Sequence, residues 1–280
     1  MSASPVAGGH AIRRLEGRVA VVTGGSGGLG SSMAEALADA GAGVALLSRR
    51  PERSETVAAR IRDRGGEVRV VQCDVTDPAS LARARDEVNA ELGAAHILVN
   101  GAGGNDARAT TGAERSFFDL EPAALRGVLD VNLLGTVQAC QAFGRDMVER
   151  GEGVIVNVSS MAAARPLTRV VGYAAAKAAV ENFTRWLAVH MAQTYAPGVR
   201  VNALSPGFFL TRQNQYLMLD AESGELTSRG ADAVGHTPQG RLGAPRDLAS
   251  TLLWLVDPDS GFVTGAVIPV DGGFSAFGGV

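Results

Sequence analysis

Short runs of β-branched and aliphatic residues alternate along the chain with longer stretches whose apolar positions recur every three or four residues. The short runs, at 19–23, 44–47, 68–71, 97–99, 154–158, 199–203 and 267–270, are apolar at nearly every position. Such continuous runs predict seven strands covered on both faces. Between them, 29–40, 54–64, 78–92, 122–149 and 172–194 carry the amphipathic period of helices. Strands alternating with helices predict a single α/β domain: a doubly wound parallel seven-stranded sheet, helices on both faces, joined by right-handed crossovers. The pattern fails in one place, roughly 208–243, where Gly224, Gly230, Gly235, Pro238 and Gly240 punctuate polar and aromatic residues. That stretch is too long for a simple connector and reads as an insertion.

Composition narrows the classes. The 280 residues carry a net charge of −3, so no broad basic field invites nucleic acid. No apolar run approaches the roughly 20 residues of a membrane span, and no apolar core of a signal peptide opens the chain. Residues 1–14 are expected to form a flexible arm before the domain at 15–280, and the protein is expected to be soluble and cytoplasmic. The two cysteines, Cys73 and Cys140, form no CxxC pair and no Cys/His cluster, which argues against a disulfide framework or a metal site.

The first predicted strand runs into TGGSGGLG at 23–30 and then a helix, the context a dinucleotide-binding (Rossmann) turn requires. Gly24, Gly28 and Gly30 suit a tight turn, close approach to a pyrophosphate and close helix packing, with Ser26, Gly27 and Leu29 between them. The second strand ends in Ser48, Arg49 and Arg50. No carboxylate stands there to hold ribose hydroxyls, and two guanidiniums suit a 2′-phosphate. NADP(H) is therefore expected, with NAD(H) as the alternative. Asp74 and Val75 end the third strand, where Asp74 can accept from an adenine amino group. Asn100, Gly101, Ala102 and Gly103 end the fourth, their small side chains leaving room for a ribose.

One number in the composition is odd: of 26 cationic residues, 25 are arginine and one is lysine, Lys177. It stands in YAAAK at 173–177, which puts the Tyr173 phenol and the Lys177 ammonium on one helix face. An unperturbed phenol, with a pKa near 10, shuttles protons poorly at neutral pH, and a nearby cation favours its phenolate. Upstream, the fifth strand ends in NVSS at 157–160, offering a serine hydroxyl to a substrate carbonyl. Asn132 places an amide on an otherwise apolar helix.

These motifs, with NGAG at 100–103, DVNLLG at 130–135 and the SPG at 205–207 followed by Thr211, resemble the short-chain dehydrogenase/reductase family in order and over nearly the whole chain. The resemblance implies Tyr173 as general acid/base, Lys177 as its ribose-binding partner, Ser160 (Ser159 as second choice) orienting a carbonyl, and Asn132 holding a water in a proton relay. It also implies that Pro206, Gly207, Phe209 and Thr211 flank the coenzyme, and that the protein is a homotetramer or homodimer. Two positions depart from the family pattern: Gly101 replaces a second Asn, and Ser48 stands where NAD-using members carry Asp. Longer strings, including GGN at 103–105, FFDL at 117–120, PGFFLTRQN at 206–214 and HTPQGR at 236–241, resemble the D-mannonate oxidoreductase (fructuronate reductase) branch. That branch implies hydride transfer to or from a keto group of a small-molecule hexuronate. Asn105, Ser160, Arg165, Arg212, Gln213 and Asn214 are the candidate substrate contacts, and 208–240 the candidate lid. Reductases of other keto-sugar acids, polyols or ketoacyl groups keep the same machinery. A dinucleotide-binding regulator without turnover and a structural subunit are the more distant alternatives.

Overall fold

The computed structural model describes residues 14–211 and 214–279, so nearly all of the expected arm, together with Arg212 and Gln213, lies outside the described residues. Seven strands form one sheet: β1 (Val19–Thr23), β2 (Gly43–Ser48), β3 (Val68–Gln72), β4 (Ile97–Asn100), β5 (Glu152–Val158), β6 (Gly198–Pro206) and β7 (Val267–Val270). All neighbours are parallel, in the order β3-β2-β1-β4-β5-β6-β7. Every carboxyl end therefore lies on one edge. The order reverses between β1 and β4, and a crevice opens at such a switch point.

The uninterrupted apolar runs are explained by burial on both sides. Ala20, Val22, Val44 and Leu46 join one core cluster, with Met33 and Leu37 of α1 (Gly28–Asp39) and Val57 and Ile61 of α2 (Pro51–Asp63). Their neighbours Val19, Val21, Ala45 and Leu47 join the other, with Leu81 and Val88 of α3 (Pro78–Glu91) and Phe143 and Met147 of α5 (Gly135–Arg150). Alternation along a strand thus separates two cores rather than core from solvent.

Helix starts follow local chemistry. α2, α3 and α4 (Pro122–Leu129) each begin on proline, whose missing N–H is no loss in the first turn. Asp77 also caps α3, accepting from the Ala79 amide at 2.9 Å. The predicted single helix at 122–149 is instead α4 and α5 joined by a π-helical turn, Asp130–Leu134, which contains Asn132. Such turns are local departures from the 3.6 period, and apolar spacing does not reveal them.

The segment after β6 is more ordered than its sequence suggests. It forms α7 (Gln215–Met218) and α8 (Ser228–Gly235), with isolated bridges Leu219 to Leu226 and Phe209 to Gly243. A further helix, α9 (Ala249–Val256), buries Leu252, Leu255 and Val256 against the α1 face. Among the described residues, no helix is long and apolar enough to cross a membrane.

Candidate active site

The turn after β1 is shaped by missing side chains. Gly24 adopts φ +68°, and a Cβ there would lie 2.8 Å from the Ala102 backbone at the end of β4. A Cβ on Gly30 would sit 2.3 Å from the Gly24 carbonyl oxygen, and one on Gly28 2.8 Å from Thr211. The loop therefore closes against both the β4 loop and the segment after β6. Thr23, which sequence reasoning missed, accepts from the Ala102 amide at 3.1 Å and locks the two strand ends together. Gly27 precedes the first turn of α1, so the backbone N–H groups of a helix start face the crevice edge without side chains in front of them.

At the end of β2, Ser48 is buried and its hydroxyl is turned onto Arg50, donating to the Arg50 carbonyl at 2.9 Å and accepting from its amide at 3.1 Å. Its Oγ lies 3.5 Å from that of Ser26. Arg49 and Arg50 are exposed. Burial would raise the Asp74 carboxyl, but bonds from the Thr76 amide and hydroxyl and the Arg49 charge hold it below its ordinary value. Val75 instead packs toward Gly135, where a Cβ would approach to 2.7 Å. Asn100 offers only its backbone: its side chain is buried and donates to Asn157 Oδ1 at 2.9 Å. These residues fit a dinucleotide, because the glycine cradle leaves room that side chains would fill.

The chemical end lies where β5 meets α6 (Val171–His190). Lys177 is buried, its ammonium donating to the Val158 carbonyl at 2.7 Å and lying 5.7 Å from the Tyr173 ring centre. Burial pushes this amine down to about 8. Tyr173 stands one helical turn before it. Burial pushes its phenol above its ordinary value, opposed by the Ser160 hydroxyl rather than by Lys177. The ammonium thus sits over the phenol ring while its hydrogen bond goes to the backbone. Ser160 Oγ also accepts from the Ala162 amide at 3.2 Å. Ser159 faces the other way, donating to Glu181 Oε1 at 2.9 Å inside the protein, so its hydroxyl is engaged away from Tyr173.

Asn132 is fully buried, its amide donating to the Gly104 and Val128 carbonyls at 2.7 and 2.8 Å and its Oδ1 accepting from the Gly104 amide at 3.2 Å. The side chain is thus spent on holding the β4 loop, and a water in a relay would have to use its backbone. Gly103 ties the group together: a Cβ there would lie 2.6 Å from Asn132 Oδ1 and 3.3 Å from Lys177 Nζ.

The candidate substrate contacts are less convergent. Asn214 is spent within its own turn, donating to the Phe209 carbonyl at 2.7 Å and accepting from the Thr211 amide at 2.7 Å and hydroxyl at 3.0 Å. Asn105 donates to Thr110 Oγ1 at 2.8 Å. Arg165 donates through Nε and Nη2 to the Ser275 carbonyl at 3.2 and 2.8 Å, pinning the C-terminal turn. Local capping chemistry, common in polar loops, explains the two asparagines. A cavity of about 420 Å³ lies between the segment after β6 and the turn after β7, lined by Phe208, Thr237, Arg241 and Asp271 among others. Ser160, Tyr173 and Lys177 do not line it.

Sequence reasoning also missed Asn157, Glu181 and Thr184. Asn157 Nδ2 donates to Thr184 Oγ1 at 2.9 Å. The available signal was spacing: Tyr173, Lys177, Glu181 and Thr184 recur on one face of α6.

Known proteins are similar to this chain in sequence and fold. A family profile described as enoyl-(acyl carrier protein) reductase matches residues 24–275. The chain is 46% identical over 275 residues to the uncharacterized oxidoreductase UxuB of Bacillus subtilis (strain 168), covering 95% of this chain and 98% of that one. A Haemophilus influenza structure with bound NAD, provisionally assigned as a D-mannonate oxidoreductase, is 39% identical with a TM-score of 0.89, over 95% of this chain and 98% of that one. A gluconate 5-dehydrogenase from Burkholderia cenocepacia J2315, in complex with NADP and tartrate, is 33% identical with a TM-score of 0.84, over 95% and 98%. The chain belongs to the short-chain dehydrogenase/reductase family, whose members are oxidoreductases that act on alcohol and carbonyl groups with a nicotinamide dinucleotide.

Proposed function

We propose that the protein interconverts a keto group and a secondary alcohol on a sugar acid of the D-fructuronate/D-mannonate type. The observation that carries this reading is the meeting of Ser160, Tyr173 and Lys177 at the carboxyl end of β5, beside the glycine cradle. A nicotinamide held beside the glycine cradle would supply hydride to the carbonyl carbon, or accept it in the reverse direction. As the C=O π bond becomes an alkoxide, Ser160 donates a hydrogen bond to the oxygen and Tyr173 transfers its phenolic proton there. Lys177 holds a ribose hydroxyl and supplies positive charge beside the resulting phenolate, and the Asn132 backbone carries the water that resupplies the proton. The segment at 208–240 closes over the substrate and excludes water. Arg165, with Nη1 remaining beside the two nitrogens on Ser275, is the proposed partner of the substrate carboxylate.

The sugar-acid assignment draws support from the two relatives whose names carry mannonate and gluconate. The test is a turnover screen of D-fructuronate, 5-ketogluconate and an acetoacetyl thioester with both coenzymes. Turnover of fructuronate is expected to exceed the others, and activity on the thioester alone would replace the sugar acid with a ketoacyl substrate.

NADP(H) is the proposed coenzyme, since β2 ends without a carboxylate and with two exposed guanidiniums. NAD(H) is the alternative, favoured by the NAD-bound relative. Comparing kcat/KM for NADPH and NADH in the wild type and in Arg49→Ala tests this. The substitution should lower the NADPH value about tenfold and spare NADH. A wild-type preference for NADH would overturn it. The proposed assembly is a homotetramer, or a homodimer, to be read by light scattering.

A further inference from the structure

The seam between β5 and α6 is built as a polar ladder. Four consecutive positions at the end of β5 meet four residues on one stripe of the helix. Asn157 bonds Thr184, the Val158 carbonyl bonds Lys177, Ser159 bonds Glu181, and Ser160 faces Tyr173. The helix positions fall at i, i+4, i+8 and i+11, within one face. Glu181 is the unusual member, because a carboxylate is rarely buried this far. Its side chain is only 10% exposed, the Ser159 hydroxyl is its near partner at 2.9 Å, and Arg185 stands off at 3.6 Å. Ser159 Oγ also lies 3.4 Å from the Lys177 carbonyl, so one hydroxyl touches the whole turn from Lys177 to Glu181. Lys177 in turn holds the carbonyl of the residue just before Ser159.

We infer that Glu181 is a positioning residue: through Ser159 it holds α6 in register on the end of β5 and so sets where Lys177 and Tyr173 stand. The inference rests on the proposed reaction only for its effect on turnover. The titratable and charged groups on this seam are Tyr173, Lys177, Glu181 and Arg185. A shift of one helix turn against the strand would move the ammonium and the phenol together, while a loosened seam would let water reach the amine.

Lys177 is the sole lysine of the chain, so protein grown with 13Cε-lysine gives one lysine resonance that needs neither coenzyme nor substrate. In wild type that resonance should titrate near 8, where burial holds the amine. Glu181→Gln keeps an oxygen to accept from Ser159, and should leave the shift, the midpoint and kcat within about threefold of wild type. Glu181→Met and Ser159→Ala remove the bond, and should broaden or split the resonance and raise its midpoint. They should also lower kcat by about ten- to a hundredfold with the coenzyme KM little changed. A wild-type resonance and midpoint in the folded Met variant would overturn the inference. If that variant does not fold, Ser159→Ala, which removes one oxygen, decides by the same criterion. Should no substrate be turned over at all, the functional reading fails while the resonance comparison still stands.

Discussion

The β5–α6 seam and the segment after β6 both supply residues to the proposed site, yet they are held by different kinds of bond. In the seam the partners are far apart in sequence and buried: Asn157 with Thr184, Val158 with Lys177, Ser159 with Glu181. After β6 they are neighbours and exposed or half-exposed. Asn214 caps its own turn, Asp220 accepts from the amides of Glu222 and Ser223, and Thr227 caps α8 through Gly230. Tyr216 at the tip is 73% exposed. A buried polar network is costly to disturb, because each lost partner strands another group away from water. Self-capped turns can move as units at little cost. The difference suits a division in which the reacting groups are fixed and the groups meeting the substrate adapt.

The comparison breaks most visibly at its chemical centre. Tyr173→Phe removes only the phenolic oxygen, and kcat should fall by about 10²–10⁴-fold. Coenzyme affinity, read by fluorescence titration, should stay near wild type. Equal turnover in the variant would remove Tyr173 from the reaction.

Stability against pH isolates the buried amine. Lys177 is lowered in the fold from an ordinary 10.5 to about 8. Between those values the unfolded chain binds more protons than the folded one, so stability should rise with pH across that window. The gain, on the order of 3 kcal/mol, is complete above the ordinary lysine value and is lost as pH falls through about 8. Tyr173, raised above its ordinary 10, acts in the opposite sense only beyond that point. Urea midpoints of wild type and Lys177→Met from pH 7 to 10 read the effect, and parallel curves would refute it.

Thr184→Val keeps the shape of the seam and strands the Asn157 amide. It should cost about 1–3 kcal/mol in urea unfolding. Asn214→Ala, its counterpart after β6, should cost under about 1 kcal/mol and act mainly on substrate KM. If the two costs were reversed, the contrast between a fixed seam and an adaptable segment would be wrong.

Much of the molecule was legible in one dimension. The two-sided apolar runs specify parallel strands, because only a strand covered on both faces can be apolar at successive positions. The glycine string after β1 and the single helical turn between Tyr173 and Lys177 are local facts, and local geometry carries them into the fold unchanged. What pattern could not reveal was competition for hydrogen bonds. Asn214, Asn105 and Arg165 are the right chemical types for a sugar acid, but each has a nearer backbone or side-chain partner.

The sequence by itself determined the order of strands and helices, the glycine turn, and which phenol and ammonium share a helix face. Those depend on periods and spacings of a few residues. Tertiary structure alone decided which of two adjacent serines faces Tyr173 and which is held by Glu181, since consecutive residues in extended backbone point opposite ways. It also decided the electrostatic state of the lone lysine, because the low dielectric that lowers its pKa comes from residues distant in the chain.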